Sequence, residues 1–460
     1  MNKFNRALRF VCLFVVLFTT LLAPFATNAQ EGLAPKVRRL AQPYVDSNTV
    51  VGLSIGVLRG SESATVHLGK TKQKGPKPND ETIYEIGSVS KVFTNLLLAD
   101  AVIQGKVKLE QNAQDLLPEG VTMPKWNDQS ISLLDLATHS SGLPRLSDNM
   151  PFGNPQNPYV DYPSKLAHEF LNKHKLTRAP GKKGEYSNFG VALLGHMIND
   201  QAKVSYDELL KERLAKPLRM QSTTIKLTPA MKKRFATPYL GPDLPTVGWD
   251  FADMPGAGGI RSTTSDMMKF AKANLNGIDG ELGKAIELAW KEHRQTNESR
   301  MGLGWHITGD GSRWHNGQTG GFHSMLMLNR KAKHGVVLLS NTGSMEVDRL
   351  AHDIVAMLSG EEVKPRAFKA EIQVDEKVMQ DYVGRYELTP SVAFTISVED
   401  GKMTVQLTGQ PKIPLYAKSE TEWFCKVVPA EITFELDEAG KCVALELFQN
   451  GIRQKAKRVE

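Results

Sequence analysis

The alternation of apolar and polar positions first becomes informative near residue 50. Val51-Gly52-Leu53-Ser54-Ile55-Gly56-Val57, a turn near Gly60-Ser61 and Thr65-Val66-His67-Leu68 read as an antiparallel hairpin. A polar Lys, Pro and Gly stretch from 70 to 80 separates it from a different pattern. Over 88–104, Val92, Phe93, Leu96, Leu97, Leu98, Ala99, Val102 and Ile103 fall nearly all round a helical projection, which predicts a helix buried on most sides. Gly105 stands where such a helix stops. Residues 144–163, rich in Pro, Asn, Gly and Asp, hold no period and read as a long surface loop, of the kind that often lines or covers a binding site. Helical periods return at about 164–174, 189–200 and 264–275, and 322–328 and 336–339 read as strands around a polar turn. Near Lys364-Pro365-Arg366 the character changes. From 372 onward short alternating runs (394–398, 403–407, 433–436, 443–448) flank turns such as Asp400-Gly401, which predicts an all-β module, a small barrel or sandwich.

The first residues follow another logic. Lys3, Arg6 and Arg9 precede an apolar run from Phe10 to Leu22, and small residues follow up to Ala29. This is the build of a secretory signal peptide covering 1–29, an uncleaved anchor being the alternative. The run is shorter than the roughly 20 apolar residues a membrane span needs. No later segment is long and apolar enough to cross a bilayer, so no stable span is expected after cleavage. Removing 1–29 lowers the formal charge from +7 to +4. The remaining Lys and Arg are scattered among acids apart from Arg453, Lys455, Lys457 and Arg458, so no nucleic-acid surface is expected. Apolar residues at 41% and charges at 23% are ordinary globular usage. Cys425 and Cys442 are left after the leader, and a bridge between them stays open: an oxidising compartment permits one, but a middle strand is expected between them.

Three short segments carry candidate chemistry. Gly87-Ser88-Val89-Ser90-Lys91 opens the buried helix and is the one Ser-x-x-Lys in the chain. Serine and lysine three apart share a helix face, so the amine can reach the hydroxyl. A helix N-terminus also offers free N–H groups to an oxyanion. A lysine in so apolar a helix is costly to bury without a purpose. Tyr186-Ser187-Asn188 precedes the helix near Phe189. The plain reading is a packed tyrosine with Asn188 as helix cap; the catalytic one is a proton carrier. For a phenol to act as base near pH 7 its pKa must fall by about 3 units, ~4 kcal/mol, with the Lys91 cation as the expected source. His315-Asn316-Gly317-Gln318 leads into the strand at 322; the other His-x-Gly, His67-Leu68-Gly69, sits in the hairpin and reads as structural.

In this order, Ser88-Val89-Ser90-Lys91, Tyr186-Ser187-Asn188 and His315-Asn316-Gly317 resemble the three motifs of the serine β-lactamase and penicillin-binding-protein superfamily, in its class C β-lactamase and D-alanyl-D-alanine carboxypeptidase branch. Leu136 to Pro144, Gly258 to Thr263 and Gly302 to Trp305 match in type, and the likeness covers roughly residues 40 to 360. Tyr382-Val383-Gly384-Arg385-Tyr386 resembles the lipocalin-like barrels appended to some members. The resemblance implies an α/β (α+β) fold, a β-lactamase/transpeptidase-like antiparallel sheet flanked by helices over 30–365, then a small all-β barrel over 366–460. It implies acyl transfer through Ser88, with Lys91 and Tyr186 moving protons in an unassigned order and the N–H groups of Ser88 and Gln318 holding the oxyanion. Asn188 would bind the substrate amide, and His315 would assist Tyr186 or meet a carboxylate. Class C enzymes usually carry lysine where this chain has His315, which weakens the claim of antibiotic resistance but not of serine acylation. His139 belongs to a matching segment and reads as structural. The expected substrate is a β-lactam or D-amino-acid peptide, with a small-ester esterase or a non-catalytic cell-wall or β-lactam binder as alternatives. No cofactor or metal is expected, since no dinucleotide, phosphate or zinc spacing appears; oligomeric state is not readable.

Overall fold

Eight antiparallel strands make the larger sheet of the computed structural model, in the order Glu62–Gly69, Gly52–Arg59, His334–Ser340, His323–Asn329, Arg313–Gln318, His306–Ile307, Arg300–Met301, Arg294–Gln295. The structure describes residues 31–459 apart from 152, 298, 369, 370 and 411; the expected signal segment at 1–29 lies outside the described residues. The predicted hairpin forms as read, with Gly60 at φ +60° in its turn. Leu53, Ile55 and Val57 point to one face, against the helices Leu33–Asp46 and Glu346–Leu358. These helices lie outside the elements expected above, although Val37, Leu40, Ala41 and Tyr44, and Val347, Leu350, Ala351 and Ile354, both follow the helical i, i+3, i+4, i+7 spacing. Leu326, Leu328, Val337 and Leu339 point to the opposite face, toward the large helical layer. With both faces covered, His323–Asn329 and His334–Ser340 are buried at every position, which is why they read as continuous apolar runs.

The apolar helix predicted at 88–104 is Ser90–Ile103, entered through a 3₁₀ turn at Gly87–Val89 and closed by Gly105 at φ +70°. Val92, Phe93, Leu96, Leu97 and Leu98 are almost wholly buried, each contributing roughly 1.5–3 kcal/mol by burial. Phe93 stacks on Phe270 with centroids 4.1 Å apart, tying this helix to Thr264–Asn276. That second helix lies directly on the sheet, where a Cβ on Gly56 would come 2.3 Å from Met268 Sδ. Of the other expected helices, 189–200 is Asn188–Ala202 and 164–174 is the shorter Ser164–Leu171. No helix or strand interrupts the described residues of 144–163.

The C-terminal region folds, after a short helix at Glu376–Asp381, into nine antiparallel strands. The two edge strands, Ile413–Pro414 and Tyr416–Ala417, are joined through Leu415 alone, so the sheet rolls into a nearly closed barrel around Tyr386, Phe394, Trp423, Ile432, Phe434 and Leu445. Cys425 and Cys442 are both buried free thiols, with Ala430–Leu436 between the strands they adjoin. No bridge joins them: burial raises the Cys425 thiol to about 12, and Cys442 Sγ lies 3.2 Å from the Tyr386 hydroxyl. The barrel sits on the rest through Lys426, whose Nζ donates to the Ser47 and Asn48 carbonyls, and through Asp243, which meets Lys402 and the Tyr416 hydroxyl.

Candidate active site

Ser88 sits in the 3₁₀ turn at the mouth of the buried helix, and Lys91 lies one turn deeper with 0% exposure. The Lys91 Nζ is 2.9 Å from Ser88 Oγ and donates to the Ala257 carbonyl at 2.6 Å. No carboxylate lies within ion-pair distance of it among the described residues. Burial, reinforced by the nearby Arg145 guanidinium, therefore holds its pKa well below the usual lysine value. In its neutral form, which burial favours, the amine can spend one N–H on Ala257 and turn a lone pair to the serine hydroxyl.

Tyr186 reaches the same point from a distant segment, its phenol within hydrogen-bonding reach of the Ser88 side chain. Its ring centre lies 4.9 Å from Lys91 Nζ and 5.0 Å from the Arg145 guanidinium carbon. Burial pushes the phenol up to about 12, against the opposing pulls of the Ser88 hydrogen bond and Arg145. This corrects the expectation that the Lys91 cation brings Tyr186 down. Burial holds the amine toward its neutral form, and the exposed Arg145 is the cation that favours the phenolate.

The Tyr186 backbone is clamped on both sides by His139. Glu185 N–H donates to the His139 carbonyl at 2.7 Å and Ser187 N–H donates to His139 Nδ1 at 3.1 Å. The His139 ring lies on Tyr186 at 4.4 Å, from a backbone held at φ +56°. The helix that follows is capped by Ser187, whose Oγ accepts the Gly190 N–H, and not by Asn188. Asn188 is the first helical residue, and its amide donates to the Tyr159 hydroxyl at 3.4 Å.

The strand Arg313–Gln318 forms the third wall. Thr319 N–H donates to the Phe322 carbonyl, so by antiparallel alternation the Gln318 N–H points away from the neighbouring strand. It points toward the Ser88 turn: a Cβ on Gly87, at φ +48°, would lie 2.6 Å from Gln318 N, and one on Gly317 would lie 2.9 Å from Ser88 N. Two glycines thus let the Ser88 turn and the strand at Gln318 pack closely, as an oxyanion site built from their N–H groups requires. His315, 1% exposed, has Nδ1 2.6 Å from the Asn316 carbonyl, which assigns the proton to Nδ1. Its ring is 6.1 Å from Tyr186 and 5.1 Å from His306. Burial keeps the pKa values of His139 and His315 well below the usual imidazole value and lowers His306 to about 4.

The other matching segments brace this core. Ile260 N–H donates to Ser90 Oγ, and Arg261 pairs with buried Glu85 at 3.2 Å. Gly304, at φ +73°, packs against the Lys91 carbonyl and Asn95. His67 lies elsewhere, bonded to Ser54 and Asp80. Sequence reasoning did not single out His306, Arg145 or Tyr159; Tyr159 sits in no motif, and Arg145 and His306 each only follow one.

A family model described as Beta-lactamase matches residues 37–360. The chain belongs to the β-lactamase family. A second model, a domain of unknown function (DUF3471), matches 369–458. The chain is 28% identical over 296 residues to a β-lactamase of Escherichia coli (strain K12), covering 64% of this chain and 74% of that protein. It is 29% identical over 244 residues to the D-alanyl-D-alanine-carboxypeptidase/endopeptidase AmpH of the same strain, covering 52% of this chain and 61% of that one. A solved β-lactamase/D-alanine carboxypeptidase from Yersinia pestis, complexed with citrate, superposes with a TM-score of 0.62 at 24% identity over 71% of this chain and 98% of its own, which shows a shared fold. This β-lactamase-family member falls in the superfamily of β-lactamase-like and D-alanyl-D-alanine-carboxypeptidase-like serine hydrolases.

Proposed function

We propose that Ser88 is the nucleophile of an exported hydrolase that cleaves β-lactams or D-amino-acid peptides through an acyl-Ser88 intermediate. The observation that carries this reading is the buried Lys91 amine, without an acidic partner among the described residues and 2.9 Å from Ser88 Oγ. Lys91 takes the Ser88 proton as the Ser88 oxygen bonds to the substrate carbonyl carbon. The resulting oxyanion rests on the Ser88 and Gln318 N–H groups. As the carbon–nitrogen bond breaks, the leaving nitrogen takes the phenol proton of Tyr186, which suits a phenol held protonated, and the Lys91 ammonium reprotonates Tyr186. Water then repeats the sequence on the ester and frees Ser88. Asn188 holds the substrate amide. His315, buried and uncharged, assists Tyr186 and offers no charge to a carboxylate. That lack of charge is also the one observation favouring a small-ester substrate as a second reading.

A fluorescent penicillin should label the wild type covalently and leave Ser88→Ala unlabelled, with mass spectrometry finding the acyl group on the Ser88 peptide. Labelling at another residue refutes the assignment. Absent labelling with Ser88-dependent ester hydrolysis selects the esterase, and labelling without turnover of any lactam, peptide or ester selects a binding protein. Export rests on residues 1–29, and N-terminal sequencing of the mature protein tests it.

A further inference from the structure

Arg145 stands apart from the buried groups around Ser88: its side chain is exposed. Lys91 and the three histidines around Tyr186 are held toward their neutral forms, and Tyr186 and Tyr159 toward the protonated phenol. Three carboxylates of the surrounding segments are committed elsewhere: Glu185 to Arg178 at 2.8 Å, Asp250 to Arg261 at 2.9 Å, and Asp253 to Ser164 at 2.7 Å. Arg145 itself is exposed and makes no ion pair among the described residues.

Its position is fixed rather than incidental. The Arg145 carbonyl accepts the N–H groups of both Asn188 and Phe189, which anchors the residue to the start of the Asn188–Ala202 helix. Its guanidinium lies 5.0 Å from the Tyr186 ring centre, a cation–π contact that holds the side chain over the site without consuming its five N–H donors. Asn188 and Tyr159 stand on the same side, and beyond them Leu146, Met150, Phe189, Phe251 and Met254 line a narrow apolar recess that brings no charge of its own. A guanidinium with its planar fork unpaired, beside the residue that holds the substrate amide, matches a carboxylate.

We propose that Arg145 is a specificity residue that binds a carboxylate on the acyl-donor part of the substrate, on the Asn188 side of Ser88. The inference rests on the acyl-Ser88 reading above and adds the substrate class: acyl donors that carry an anionic side group. An exposed charge-assisted contact of this kind discriminates about fivefold between anionic and neutral side groups.

Benzylpenicillin and carboxybenzylpenicillin share one scaffold and differ by a carboxylate on the acyl side chain, so the thiazolidine carboxylate common to both cancels in their ratio. The second-order acylation rate constants of both are measured on the full chain, by competition with a fluorescent penicillin, for wild type, Arg145→Met and Arg145→Lys. The preference for the carboxybenzyl compound, relative to the benzyl one, should fall about fivefold in Arg145→Met, be partly kept in Arg145→Lys and shrink in the wild type as salt rises. Any slowing shared by both compounds, through the effect of Arg145 on Lys91 and Tyr186, leaves the ratio unaffected. A ratio unchanged in Arg145→Met with Ser88 still labelled overturns this inference alone. A wild type that neither penicillin acylates overturns the β-lactam and D-amino-acid-peptide reading of the Ser88 site, and this inference with it.

Discussion

Gly317→Ala isolates the strand that is read here as one wall of the oxyanion site. The added Cβ would lie 2.1 Å from the Ile86 carbonyl oxygen, 2.6 Å from Ser324 Oγ and 2.9 Å from Ser88 N. Gly317 is not among the residues with positive φ, so alanine is admissible to the backbone and the perturbation is purely steric. The Ile86 oxygen is main chain and cannot swing aside as a side chain would. Relief to ordinary contact therefore requires the Ser88 turn and the strand to separate by about 1 Å, a displacement that can cost ~10²-fold in rate. Because Gly317 is paired with Ser324 in the sheet, the turn is the part that yields, carrying the Ser88 N–H away from the Gln318 N–H. Loss of one oxyanion donor costs about 2.7–4 kcal/mol, or 10²–10³ in rate. Overpacking should lower stability by about 1–3 kcal/mol. Acylation by a fluorescent penicillin is followed in time, with thermal unfolding measured in parallel and Gly309→Ala, whose Cβ meets nothing within 4 Å, as the control. A Gly317→Ala protein that acylates within about threefold of wild type, well short of a lost donor, would refute the assignment of Gln318 to the oxyanion.

Two further outcomes follow from the charge states. Lys91→Met should reduce acylation by about 10²–10⁴ while leaving the melting temperature equal or higher, because an apolar chain of similar length replaces a buried amine; a clear fall in melting temperature would make Lys91 a structural residue. His306 has its pKa lowered from 6.5 to about 4, so between those values the unfolded chain binds a proton that the folded chain does not. Its contribution is complete above pH 6.5 and is lost as pH falls through about 4, at most about 3 kcal/mol. Denaturant titrations at pH 7 and 4.5 should show a smaller acid loss for His306→Asn than for wild type, and equal losses would contradict the burial argument.

Much of the frame was legible because it is local. A helix rises about 1.5 Å per residue, so Ser88 and Lys91 share a face wherever the helix ends up. The hairpin at 52–69, the stop at Gly105 and the alternating strands of the C-terminal region likewise follow from near neighbours. Less legible were the cap, which fell to Ser187 because its side chain could turn back to the Gly190 N–H, and the framing helices, whose periodicity is plain once the sheet face they cover is known.

Tertiary structure alone decided what the local patterns do together. Only the folded sheet brings the strand Arg313–Gln318 against the turn at Ser88, and only His139, from yet another segment, fixes Tyr186 beside both. The direction of the charge shifts belongs to the same level. Sequence supplies a lysine and a phenol, and from these a cation seemed available to acidify the phenol. Desolvation depends on what covers a group from every side, and in this fold it holds the amine toward its neutral form, keeps the phenol protonated and leaves Arg145 as the charge that faces solvent.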